Sequence, residues 1–146
     1  MYKNKNQAAV DVLNGLIHVN NNHILGYQQV SKETKDEDLQ MVFSAMLNES
    51  VNFAENLGGY VRAMGGEVAI ERVMEGSVHR AWLNVKTIIE SYDTALKVDE
   101  IQQHPELICA LKRQKSILEE SLKILENISL RLKYKVKKQE MLAERV

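Results

Sequence analysis

The sequence predicts an all-α protein, an up-down-up-down four-helix bundle, and three observations carry that expectation. Among its 146 residues Pro105 is the single proline, so nothing in residues 1–104 forces a helix to break. Apolar residues recur at alternating steps of three and four along four separate stretches, which is the spacing of helices in a bundle. Leu, Val, Ile, Ala, Glu and Lys dominate, while no alternating strand pattern, internal repeat or low-complexity tract is present.

The first helix is expected over about residues 7–32, with Leu13, Leu16, Asn20, His23, Tyr27 and Val30 on one face. Gly15 and Gly26 lie inside it, each costing ~1 kcal/mol against Ala, which suggests close approach of a neighbouring helix. The second is expected over about residues 35–64. Thr34 and Glu37 have capping-box spacing, and Asp36, Glu37 and Asp38 suit the positive end of a helix dipole. Its seam runs Leu39, Phe43, Met46, Ser50, Phe53, Leu57, Tyr60 and Met64, and Gly65-Gly66 stops it. The third, about residues 71–96, carries Met74, Val78, Ala81, Val85, Ile88 and Tyr92, widened by Trp82 and Ile89. A polar connection from Asp99 to His104, with room for one helical turn, leads to Pro105 at the first position of the fourth helix. That helix, about residues 105–138, presents Leu107, Leu111, Gln114, Leu118, Ser121, Leu125, Ile128 and Leu132, and its seam dissolves into Arg131, Lys133, Lys135, Lys137 and Lys138. The chain is one domain with helices ~35–40 Å long.

Composition narrows the function classes. A net charge of −1 gives no general drive toward nucleic acid or an anionic membrane. The basic run near the C-terminus steps by two, which spreads charge around a helix, so a solvated, fraying end is expected. The first residues are polar and no apolar run is long enough to span a membrane, so a cytoplasmic protein without a signal peptide is expected. Cys109 has no internal partner and, between Ile108 and Ala110, is expected to be a buried, inert thiol.

Bundles hold cofactors at mid-height, on polar interruptions of their seams. The ferritin-like di-iron centre takes a Glu from each of two helices and a Glu-x-x-His from each of the other two. Here the first helix offers Asn20 and, seven residues on, Tyr27; the second offers Glu49 followed by Asn52 instead of His; the fourth offers Glu119 and Glu120 with no His at the third position after either. Neutral amides lack the charge that makes a carboxylate an iron ligand. The candidate interior polar cluster is therefore Asn20, His23, Tyr27, Glu49, Asn52 and Gln114, with Ser50 and Ser121 beside it, hydrogen-bonded to each other or to water and expected to hold neither metal nor cofactor. No Ser or Cys nucleophile is paired with a base, so no catalytic residue is assigned. His79 is expected to pack near Trp82, and His18 and His104 to lie on a solvated face and at a helix entry.

Several local features together carry a resemblance. They are the VLNGLI run from Val12 to Ile17, Gly26-Tyr27, Phe53 with Leu57, Gly65-Gly66-Glu67, and His79-Arg80 with Trp82 and Lys86. In their order and spacing, over about residues 8–130, the chain resembles a ferritin-like family of small bacterial four-helix-bundle proteins, a domain of unknown function. It departs from that pattern at Asn22 to Leu25 and at Arg113-Gln114-Lys115, where the family carries acidic residues. The resemblance implies a ferritin-like bundle and transfers no metal ligand. The expected function is a non-enzymatic structural or interaction module, assembled as a homodimer. One alternative is a metal-binding or oxidoreductase bundle using Glu49 with His23 or His79. Another is a small-molecule site opened by Gly15 and Gly26 among Asn20, His23 and Tyr27.

Overall fold

The computed structural model describes residues 5–69 and 85–144. Every regular element among them is helical: α1 Gln7–Glu33, α2 Glu37–Ala63, α3 Val85–Leu96, the single turn α4 Asp99–Gln102, and α5 Pro105–Glu144. The expected seams face inward. Leu13, Leu16, Asn20, His23, Tyr27 and Val30 of α1 are all buried, as are Phe43, Met46, Ser50, Phe53 and Leu57 of α2. The expected start of the third helix near residue 71, with Met74, Val78, Ala81, His79 and Trp82, lies outside the described residues.

The helices pair as two antiparallel hairpins. α1 and α2 meet near their turn, where the ring of Tyr27 stacks on Phe43 with centroids 6.0 Å apart. α3 and α5 form the other pair, tied by Tyr92 to Gln114 and by Lys115 to Asp93. Val85, at the start of α3, clusters with Tyr27, Val30, Phe43 and Met46 near the α1–α2 turn. Ala95, near its end, clusters with Ala9, Leu13 and Val61 at the opposite end. α3 therefore runs parallel to α2. α5 begins at that opposite end with Leu107 and Leu111 and reaches the α1–α2 turn at Arg131, which pairs with Asp36 and Asp38. The order is up-down-down-up, a correction to the expected up-down-up-down. α2 and α3 do not pack on each other among the described residues; each packs on α1 and α5. A three-four seam says which face is buried and nothing about direction, so spacing alone had no means of choosing between the two.

Local signals account for the other boundary changes. Thr34 ends α1 in an extended conformation, and its hydroxyl accepts from the Asp36 amide instead of capping α2. Asp36 is the N-cap: its carboxylate accepts from the Leu39 amide at 3.0 Å, so α2 starts two residues later than expected. The expected connector turn forms as α4 and buries Ile101. The fourth helix, expected to end near residue 138, does not fade after Arg131; α5 is 40 residues long and runs to Glu144. At 1.5 Å per residue it is about 60 Å long, against about 40 Å for α1 and α2, and its last turns project past the α1–α2 turn.

Gly65 and Gly66 play separate parts at the end of α2. Gly65 takes φ 77°, the left-handed conformation of a helix C-cap, and its amide bonds to the Arg62 carbonyl. Gly66 brings the chain back onto α1, where a Cβ would sit 2.7 Å from both methyl carbons of Val10. Asn14 holds the same strip, donating to the Glu67 carbonyl and accepting from the Ala69 amide, both at 3.0 Å. Gly15, expected to mark a close helix approach, has nothing within 4 Å of a built Cβ and is exposed.

These contrasts predict three different outcomes in chemical denaturation. Gly66→Ala is expected to destabilise by about 1–3 kcal/mol, because Val10 is buried and branched and has nowhere to move. Gly65→Ala is expected to cost about 1–2 kcal/mol through backbone strain alone. Gly15→Ala is expected to stabilise by up to about 1 kcal/mol. Equal effects at all three positions would contradict this account of α2's end.

Candidate functional site: a polar layer at mid-height

One face of each long helix contributes a polar group at the middle of the bundle. Asn20 of α1 is fully buried, and its Nδ2 donates to the Leu16 carbonyl at 2.9 Å and to the Tyr92 hydroxyl at 3.1 Å. The Tyr92 hydroxyl donates in turn to Gln114 Oε1 at 2.6 Å. Gln114 Nε2 donates to Asn56 Oδ1 at 3.0 Å, which brings the chain of bonds out to an exposed residue of α2. Three amides and one phenol thus link α1, α2, α3 and α5 through three consecutive side-chain hydrogen bonds. Burial pushes the Tyr92 phenol above its ordinary range, and the bond from Asn20 pulls the other way.

A second group sits one to two turns nearer the α1–α2 turn. The ring of His23 packs at 5.4 Å from that of Tyr27. Burial raises the Tyr27 phenol, and the nearby Glu49 carboxylate adds to the effect. Glu49, half-buried, accepts from Ser121 at 3.3 Å; burial raises its carboxyl while this bond lowers it. His23 Nδ1, Tyr27 OH, Ser50 Oγ and Asn20 Oδ1 are buried with no protein hydrogen-bond partner among the described residues. Burial without a partner pushes the His23 imidazole down to about 4, so the ring is neutral near pH 7.

Of the expected cluster, Asn20, His23, Tyr27 and Gln114 lie inside and Glu49 at its edge, whereas Asn52 is exposed. The inward positions next to it are taken by Ser50 and Phe53, one turn of α2 apart. Tyr92 and Asn56 were missed. A phenol at the centre of the α3 seam was the available signal for Tyr92; Asn56 carried none. Cys109 is exposed, not buried, because Leu107 and Leu111 take the inward positions on either side of it. It lines a groove of about 640 Å³ between α2 and α5 with Glu49, Asn52, Asn56 and Gln114. No group of three or more His, Cys, Asp or Glu able to hold a metal ion forms among the described residues. No described helix is long and apolar enough to cross a membrane.

The family profile described as "Domain of unknown function (DUF2383)" matches residues 8–123. The chain belongs to this family. The DUF2383 match covers α1, α2, α3, α4 and α5 as far as Lys123, so it contains the whole polar layer and leaves out the projecting end of α5. Neither the curated proteins nor the solved structures contain a significant match to the chain.

The hydrogen-bond chain predicts that Tyr92→Phe destabilises by about 1–3 kcal/mol, because two buried amides lose their shared partner. A double-mutant cycle with Gln114→Leu is expected to show coupling between the two positions; additive costs would mean that they act independently. His23 predicts a pH effect. Unfolded, it titrates near 6.5; folded, it does so at about 4, so folding favours the neutral ring. Stability is therefore full above pH 6.5 and falls, by about 3 kcal/mol at most, as pH drops from 6.5 to about 4. The raised Glu49 carboxyl has the opposite sign, favouring the folded state at acid pH. Denaturation across this range is expected to show a slope that His23→Phe flattens; an unchanged slope would assign it to other groups.

Proposed function

We propose that the protein is a non-enzymatic, ferritin-like helical bundle that works as an interaction module, with hydrogen-bonded amides at the height where related architectures hold iron. What carries this reading is the bonded series Asn20–Tyr92–Gln114–Asn56. A di-iron centre needs carboxylates and imidazoles converging from four helices. Here the corresponding mid-height groups of α1, α3 and α5 are an amide, a phenol and an amide, already engaged with one another. Support for the ferritin-like part comes from the helix directions: two antiparallel pairs, with α2 and α3 parallel, require one long crossover, as in ferritin-like folds. Support for an interaction role comes from Leu130, Tyr134, Val136, Met141 and Leu142, all exposed at the end of α5. A cytoplasmic setting fits a solvent-exposed single thiol that has no internal partner.

Loading purified protein with excess Fe(II) or Mn(II), desalting it and measuring metal by elemental analysis tests the reading. Far less than one ion per chain is expected. One ion per chain that survives desalting and is lost in Glu49→Gln would overturn it in favour of a metal site at Glu49 and His23.

A further inference from the structure

The apolar core is interrupted at one level of the bundle. Its first part contains Leu16 and Ile17 of α1, Phe53 and Leu57 of α2 and Leu118 of α5. Its second part, at the α1–α2 turn end, takes up again with Tyr27, Met46 and Phe43, against which Leu122 and Leu125 pack. The buried seam positions between the two parts hold Asn20 and His23 on α1, Ser50 on α2 and Ser121 on α5. The two serines stand where the seams otherwise carry Met, Phe or Leu, so this level is less filled than the layers on either side. α1 and α2 are antiparallel, and Tyr27 faces Phe43. Two turns back along α1 and two turns on along α2 bring Asn20 level with Ser50. His23 and Tyr27 follow on the same face, and side chains on a helix lean toward its N-terminus, here toward Asn20.

Four atoms gathered at this level are buried without a protein partner among the described residues: Asn20 Oδ1, His23 Nδ1, Tyr27 OH and Ser50 Oγ. None of the four residues is more than 4% exposed. Their chemistry selects a ligand. Tyr27 keeps its phenolic proton, because burial and the Glu49 carboxylate raise it, and Asn20 Oδ1 can only accept. The His23 imidazole is neutral near pH 7, so Nδ1 calls for a donor or an acceptor according to tautomer. A buried cation needs more counter-charge than the half-buried Glu49 supplies, and an anion would face both that carboxylate and the Asn20 oxygen. What fits is a small neutral molecule that both donates and accepts.

We propose that this level is a binding site for about two ordered water molecules, bonded to each other and to Asn20, His23, Tyr27 and Ser50. A buried water makes about three hydrogen bonds, so two that share one bond have about four left, enough for the four atoms. Glu49 stands at the outer edge, where it accepts from Ser121 at 3.3 Å and lines the groove between α2 and α5, the side from which water enters.

Magnetic relaxation dispersion of isotope-enriched water, measured on the full chain, counts waters held for longer than the molecule tumbles. At least one such water is expected. Tyr27→Phe and Ser50→Ala, with unchanged circular dichroism, are each expected to lower that count and to shift the urea midpoint downward, because each leaves a bound water short of a partner. A native protein without long-lived water would overturn the proposal. So would a count that neither substitution changes, which places the waters elsewhere. An upward shift of the midpoint in both variants would overturn it as well, since removing an unpartnered polar atom from a dry interior relieves its desolvation cost.

Discussion

The hydroxyl of Tyr92 is the point on which the arrangement of the bundle depends. It accepts from α1 and donates to α5, and it does both from α3, at full burial. Apolar seams at three-four spacing tolerate sliding by a turn, since one Leu fills the place of another at modest cost. A phenol that has to meet two amides does not tolerate it, because a slip of one turn leaves three buried polar groups unpaired. The aliphatic core supplies most of the burial, while Asn20, Tyr92 and Gln114 determine which of several comparable packings is adopted. Ser121 with Glu49, and Arg131 with Asp38, repeat the same alignment further along α5.

The neighbouring group around His23 is organised differently. Its polar atoms lie close to one another, yet several lack protein partners, and the imidazole responds by giving up its charge. A fully paired network narrows the native state to one geometry, whereas a partly paired one weakens it locally. The two groups occupy adjacent levels of the same bundle: the first leaves only Asn20 Oδ1 without a protein partner, while the second leaves His23 Nδ1, Tyr27 OH and Ser50 Oγ without one. This difference follows from side-chain chemistry: amides have both donors and acceptors to offer, and a neutral imidazole beside a phenol ring has a nitrogen facing no donor.

Much of the fold was legible in the sequence, and the parts that were not have a common cause. The buried faces of α1, α2 and α5 followed from spacing, because burial is periodic along a helix. Pro105 marked the start of α5, and Gly65-Gly66 the end of α2, through backbone rules that act locally. Helix direction did not follow, because it is decided by contacts between residues far apart in the chain, such as Val85 with Tyr27. The cap of α2 was misplaced by two residues, since Thr34 and Asp36 are both competent and only the three-dimensional turn assigns them. In the site, Asn20, His23, Tyr27 and Gln114 were found as interruptions of apolar seams. Asn52 keeps the three-residue step from Glu49 but lies off the seam through Ser50 and Phe53, so it is exposed. Asn56 is exposed and on no seam, so its bond to Gln114 had no sequence signature.

The parallel course of α2 and α3 has a consequence for how the chain acquires its structure. Each hairpin is made of contacts between residues close in sequence, which form early and with little loss of loop entropy. The bonds that join the hairpins, Asn20 to Tyr92, Gln114 to Asn56 and Ser121 to Glu49, span 58 to 72 positions. Of the mid-height polar layer, only the Tyr92–Gln114 bond lies within one hairpin; the bonds that join the two hairpins carry the larger loop-closure cost.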